Sequence, residues 1–232
     1  MAAQEARFRQ RCVMPRVAAE PSLRSNLEAR LTATRREGEA LLLAGLEAML
    51  GASLAYIRRT LTTQKSAAYR PRADQTATLM EAEADLAWET VAAHVAAVNG
   101  SACFALQGAN LDAFLTVFGS QLYAVTVEHL RRHCGGVATL GAPLLRRDVT
   151  LLAAAVGQMR LPRLDALFSD LNALCDLFII PATSLRALAT EGTRLGALPP
   201  AVLMDFVRLR ADYNSNKALI NAQLSVLVQE QY

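Results

Sequence analysis

Little in this chain favours β-structure or chemistry. Aromatic residues make up 6% of its 232 positions, and β-branched residues are scattered rather than alternating. No Asp-Gly pair occurs, and the single Asn-Gly, Asn99-Gly100, closes a helical stretch rather than joining two alternating runs. The four cysteines, Cys12, Cys103, Cys134 and Cys175, form no CxxC, which excludes a disulfide scaffold and fits a reduced compartment. GxxxxGK[ST], GxGxxG and GxSxG are absent, so neither a phosphate nest nor a nucleophile elbow is expected. No run of about 18 apolar residues is free of charge, so no membrane-spanning helix is expected. No fixed repeat period argues for a solenoid.

Ala and Leu dominate an apolar fraction of 53%, with Arg, Glu and Gln beside them. These residues lose little rotamer freedom in a helix, so the chain reads as all-α. The net charge of +3 comes from 24 basic and 21 acidic side chains, largely interspersed. That balance does not call for nucleic acid and permits weak contact with an anionic membrane. The N-terminal Arg7, Arg9, Arg11 and Arg16 suggest a transit peptide. Glu5 and Glu20 weigh against that reading and favour a helical leader or a start inside a longer protein.

Spacing and caps predict about seven helices. The first, over 1–14, ends at Pro15. A long one runs from Ser22 to Gln64, with a break near Gly38, and Leu42, Leu46, Met49, Leu50, Leu54, Ile57 and Leu61 share one face. A linker from Ser66 to Asp74 contains Pro71. The next helix, Thr76–Val98, starts with Glu81, Glu83 and Asp85 and stops at Asn99-Gly100. Asn110–His133 carries the strongest amphipathic stripe and ends in Arg131-Arg132-His133 before Gly135-Gly136. Asp148 is expected to cap a helix over 149–158, and Pro162 to open another. A short helix follows Pro181, capped by Thr183 or Ser184. A last helix opens at Pro200, with Val202, Leu203, Phe206, Val207, Leu209 and Leu219 as core. Short connections imply antiparallel neighbours. The expected organisation is a poorly defined segment over 1–21, a helical bundle over 22–134 and a second over 135–232.

The sequence assigns no catalytic, cofactor-binding or metal-binding residue and no partner-binding face. The best metal candidate is His129 with His133 and Cys134, at ligand spacing on a helix, with His94 or Cys103 as a third donor. It lacks the Glu of HExxH, and cations at a helix C-terminus are the more common reading. Glu81 and Asp85 read as a solvated face, Cys175 as a small core residue and Trp88 as a core anchor. The basic pairs Arg58-Arg59, Arg131-Arg132 and Arg146-Arg147 are dispersed, without interleaved aromatics. A bundle without a site acts through its surface.

Leu174-Cys175-Asp176-Leu177-Phe178-Ile179-Ile180 and Phe206-Val207-Arg208-Leu209-Arg210-Ala211-Asp212-Tyr213 resemble segments of the Sec-ten subunit of the exocyst. Gln64-Lys65 with Tyr69-Arg70-Pro71 and Asp74, Glu128-His129-Leu130, and Asp148 match it in the same order, between about residues 42 and 217. The chain departs from the pattern at Ala68-Tyr69, where the family has Asp-Phe, at Pro181, which is shifted by one, and at Pro199-Pro200, which replaces a capping Asp. The resemblance implies elongated, rod-like antiparallel bundles of the tethering-complex type. It implies a non-catalytic scaffold that docks secretory vesicles at the plasma membrane before fusion, cytoplasmic and peripheral at exocytosis sites. It further implies other exocyst subunits as partners, the Sec-fifteen subunit first among them, no cofactor, no nucleic acid and no small-molecule substrate, and that the chain covers only the C-terminal part of such a subunit. The alternatives are an independent helical adaptor on anionic membranes, or a vesicle-recycling protein related to F-box recycling factors, although no F-box is visible.

Overall fold

A computed structural model of the chain describes residues 21–65, 67–71, 84–190 and 194–229. The helix expected over 1–14 lies outside them. Among the described residues the regular structure is helical: α1 Pro21–Leu61, α2 Leu86–Ala105, α3 Ala109–His133, α4 Ala142–Gly157, α5 Pro162–Ile179, α6 Leu185–Thr190, α7 Pro200–Val207 and α8 Tyr213–Gln229. Short 3-10 turns lie at Ala182–Ser184 and Arg194–Ala197. The fold is an all-α helical bundle.

The chain divides into two compact units, Met1–Leu50 and Gly51–Tyr232. In the first unit, α1 passes Gly38 without the expected break. One glycine costs a helix about 1 kcal/mol, and here Arg35 Nε bonds Glu39 Oε1 at 2.8 Å across the glycine, as Arg24 pairs with Glu28 at 3.5 Å. Leu41, Leu42 and Leu43 are exposed. The membrane expectation also changes. The stretch Ala40–Ile57 holds one charge, Glu47. An 18-residue window of the helix reaches a hydropathy of 1.8 with 17% of it buried, enough to cross a membrane by length and composition alone. Counting charge-free runs missed it because one carboxylate interrupts an otherwise apolar stretch.

In the second unit the core lies between α2, α3, α4 and α5. α4 packs on both α5 and α2, and α3 on α2 and α5. Trp88, Val91, Val95 and Val98 of α2, Phe114, Phe118, Leu122 and Val125 of α3, Leu145, Val149, Leu152 and Val156 of α4, and Leu164, Phe168, Leu171 and Leu174 of α5 are buried. Ser53, Leu54, Ile57 and Leu61 bury the last turns of α1 in the same unit. At Gly119 a Cβ would lie 2.3 Å from Leu164 Cδ1, so the glycine sets how closely α3 approaches α5.

Four features of the helices differ from expectation. Residues 76–83 are not described, 84 and 85 are not helical, and α2 begins at Leu86, with Asp85 as its cap: Oδ1 accepts from Ala87 N at 2.9 Å. It then runs through Asn99-Gly100 to Ala105, because Asn99 is buried and donates from Nδ2 to the Gln158 carbonyl (3.4 Å), a tertiary bond that a terminating turn would forfeit. α4 begins at Ala142, with Pro143 in its first turn, so Asp148 lies in its interior rather than at a cap. The expected last helix is two, α7 and α8, separated by residues 208–212. Phe206, Leu203 and Val207 are core as expected. Leu219 is 38% exposed, and Ile220 and Leu224 take the buried places on α8.

Candidate functional site

The most polar part of the interior is a chain of side chains between helices. His129 Nε2 lies 2.8 Å from Gln64 Oε1, and Gln64 Nε2 donates to Tyr69 Oη at 2.8 Å. Tyr69 Oη donates to Asp148 Oδ2 at 2.8 Å, and Asp148 Oδ1 accepts the Asp85 backbone N–H at 3.1 Å. With Gln64 so oriented, His129 Nε2 is the donor of the first bond. Asp148, Tyr69 and His129 are buried. The relay therefore joins four pieces: the turn after α1, α3, α4 and the cap of α2. Each bond leaves no orphaned partner at its centre, which is what a low-dielectric interior demands.

Burial pushes the Asp148 carboxyl up to about 6, against the opposing pull of the Asp85 N–H, the Tyr69 hydroxyl and Arg147. Tyr69 is raised, first by burial and then by the Asp148 charge. These shifts resemble those of catalytic sites. With Asp148 1% and Tyr69 4% exposed, however, the groups that titrate are sealed among helices. The backbone supports the same joint. Ala138 N donates to the Tyr69 carbonyl at 3.0 Å, and a Cβ on Gly141 would fall 2.0 Å from that carbonyl oxygen, so only glycine admits this close approach of the two backbones.

A second joint centres on Arg210, which is 5% exposed. Its Nη1 donates to the carbonyls of Leu177 and of Ile180, the latter at 2.7 Å, at the C-terminal end of α5. Nε and Nη2 hold both oxygens of Asp212 at 2.8 and 2.9 Å. That bidentate pair keeps the Asp212 carboxyl below its usual range. Val137 and Arg210 form an isolated parallel β-bridge, with Gly136 N and Val137 N both bonded to the Leu209 carbonyl at 2.7 Å. One residue thus caps a helix and splices in the 208–212 connection.

The described side chains of the metal candidate do not come together. His129 and Cys134 both point at Gln64 Oε1, the thiol at 3.9 Å. The side chain of His133 lies outside the described residues. His94 lies tilted against Tyr56 with ring centroids 4.5 Å apart, and Cys103 is exposed. Among the described residues no group of three metal-ligating side chains occurs. Burial drives the Cys134 and Cys175 thiols up to about 12, which suits inert core residues. Glu81 lies outside the described residues, and Asp85 is a cap. Trp88 is fully buried, edge-on to His129 at 5.9 Å. Sequence reading treated Asp148 as a cap and gave Tyr69 and Arg210 no role. The signal for all three lay in the segments that carry the family resemblance.

Those segments recur in known proteins. The family model described as "Exocyst complex component Sec10-like, alpha-helical bundle" matches residues 5–220. The chain belongs to the Sec10-like exocyst component family. It is 30% identical over 185 residues to exocyst complex component SEC10a of Arabidopsis thaliana, covering 78% of this chain and 21% of that protein. It is 31% identical over 110 residues to exocyst complex component 5 of Rattus norvegicus, covering 47% of this chain and 15% of the relative. A Caenorhabditis elegans relative of the same name is 27% identical over 173 residues, 75% of this chain and 25% of the relative. The chain thus spans a quarter or less of the length of these Sec10-like relatives.

Proposed function

We propose that this chain is a non-catalytic scaffold element of an exocyst-like tethering complex, acting where secretory vesicles dock at the plasma membrane before fusion. The observation that carries the reading is the family match over residues 5–220. The geometry supports it: among the described residues the strongest polar clusters are buried joints between helices. In this reading the chain is cytoplasmic and peripheral at sites of exocytosis, corresponds to the C-terminal part of a longer Sec10-like subunit, and has other exocyst subunits as partners, the Sec-fifteen subunit first. The test is affinity purification of the tagged chain from cells, with mass spectrometry of what accompanies it. Exocyst subunits should co-purify in defined ratio. A folded chain that recovers none of them removes the proposal.

A further inference from the structure

We infer that the cleft between the last turn of α1 and the C-terminal half of α3 is a docking site for an acidic segment of a partner protein. The cleft has a volume of about 110 Å³ and is lined by Arg58, Leu61 and Thr62 from the end of α1 and by Val125, Glu128, Arg132 and the relay's His129 from α3. Its floor is apolar, since Leu61 and Val125 are 1% and 2% exposed. Its walls are cationic. Arg58 has no carboxylate partner among the described residues, and its side chain reaches solvent. Glu128 is already engaged by Arg132 Nη2 at 3.0 Å, which holds that guanidinium at the rim. Two arginines from two helices, Arg58 and Arg132, therefore line the cleft against the one carboxylate of Glu128.

Cations in the last turn of one helix answer its dipole and need no further reason. Here two helix ends bring theirs to opposite walls of one recess over an apolar floor. That arrangement suits an Asp or Glu side chain: its methylenes rest on Leu61 and Val125, and its carboxylate lies between Arg58 and Arg132. A membrane surface fits less well. The recess is concave, and the exposed apolar side chains of the same unit, Phe104 and Leu86, do not line it. The inference goes beyond membership of a tethering complex and does not depend on it.

The test uses the full chain, a fluorescent Ala/Glu helical peptide with Glu at three- and four-residue spacing, the same peptide with Gln for Glu, and phosphatidylserine vesicles. The Glu peptide should bind at least about tenfold more tightly than the Gln peptide, weakening as salt rises from about 50 to about 300 mM. R58E/R132E should lose at least about tenfold, R58Q/R132Q somewhat less, and R163E/K217E, which lies away from the cleft, nothing. Circular dichroism verifies that each variant is folded. Equal binding of the two peptides, an R58Q/R132Q or R58E/R132E variant that binds the Glu peptide normally, or arginine-dependent binding to vesicles with none to the Glu peptide would overturn the inference.

Discussion

Asp148→Asn should change how the stability of this protein depends on pH. In the folded chain burial lifts the Asp148 carboxyl from the ordinary 3.8 to about 6. Between those values the folded state holds a proton that the unfolded state has released. Stability then falls as pH rises, because its slope follows the protons bound by the unfolded state minus those bound by the folded state. About two pH units at 1.36 kcal/mol each make the ionised Asp148 roughly 3 kcal/mol less favourable for folding than its protonated form. Asparagine removes the titration. It also replaces one acceptor oxygen by an NH2, leaving either the Tyr69 hydroxyl or the Asp85 N–H unmatched at about 1–3 kcal/mol. The assay is urea unfolding of wild type and D148N from pH 3.5 to 7.5. D148N should be clearly the weaker protein at the acid end. The gap should close by roughly 3 kcal/mol by neutral pH, to parity or slightly beyond. A gap constant to within about 0.5 kcal/mol across the range would refute the claim that Asp148 ionises against its surroundings.

Arg210→Met should cost about 2–4 kcal/mol, since it strands the Leu177 and Ile180 carbonyls and releases Asp212; thermal unfolding measures it, and a loss below 1 kcal/mol would show that water replaces the guanidinium at little cost. Phe206→Ala should cost about 3–5 kcal/mol by chemical denaturation, and under ~1 kcal/mol would mean that α7 is not packed. Gly141→Ala forces a Cβ onto the Tyr69 carbonyl and should cost about 1–3 kcal/mol, with faster amide exchange at Ala138 as its local signature. Cys134 and Cys175 should resist iodoacetamide at pH 8 while Cys103 reacts, read by peptide mass spectrometry; modification of Cys175 in the native chain would contradict its burial.

Helix type and core faces were legible because they are local. The stripe from Phe114 to Leu130 and the Pro162 start need nothing beyond periodicity and the geometry of proline. Boundaries were less legible where a distant partner overrides local preference. Asn99-Gly100 is a sound stop signal, yet the Gln158 carbonyl holds Asn99 in the helix. Asp148 is a good cap residue on its own, but its partners are Tyr69, 79 positions away, and the backbone of Asp85. Nothing in the spacing of residues 64, 69, 129 and 148 announces that they meet. The departure from the resembled pattern at position 69 has a structural role: the Tyr here supplies the hydroxyl that reaches Asp148. Arg210 lies inside the Phe206–Tyr213 segment that carries the resemblance, but a charged residue between apolar ones reads as solvated until the open end of α5 is seen beside it.

The Arg210 joint has a consequence for synthesis. The last carbonyls of α5 are satisfied by a residue made 30 and 33 positions later. As the chain leaves the ribosome, α5 emerges with its C-terminal turn still bonded only to water. That turn becomes secure only after α6, α7 and the 208–212 connection have followed it out. A nascent chain arrested before Arg210 therefore carries a frayed end of α5 and offers a chaperone a segment that the finished protein hides.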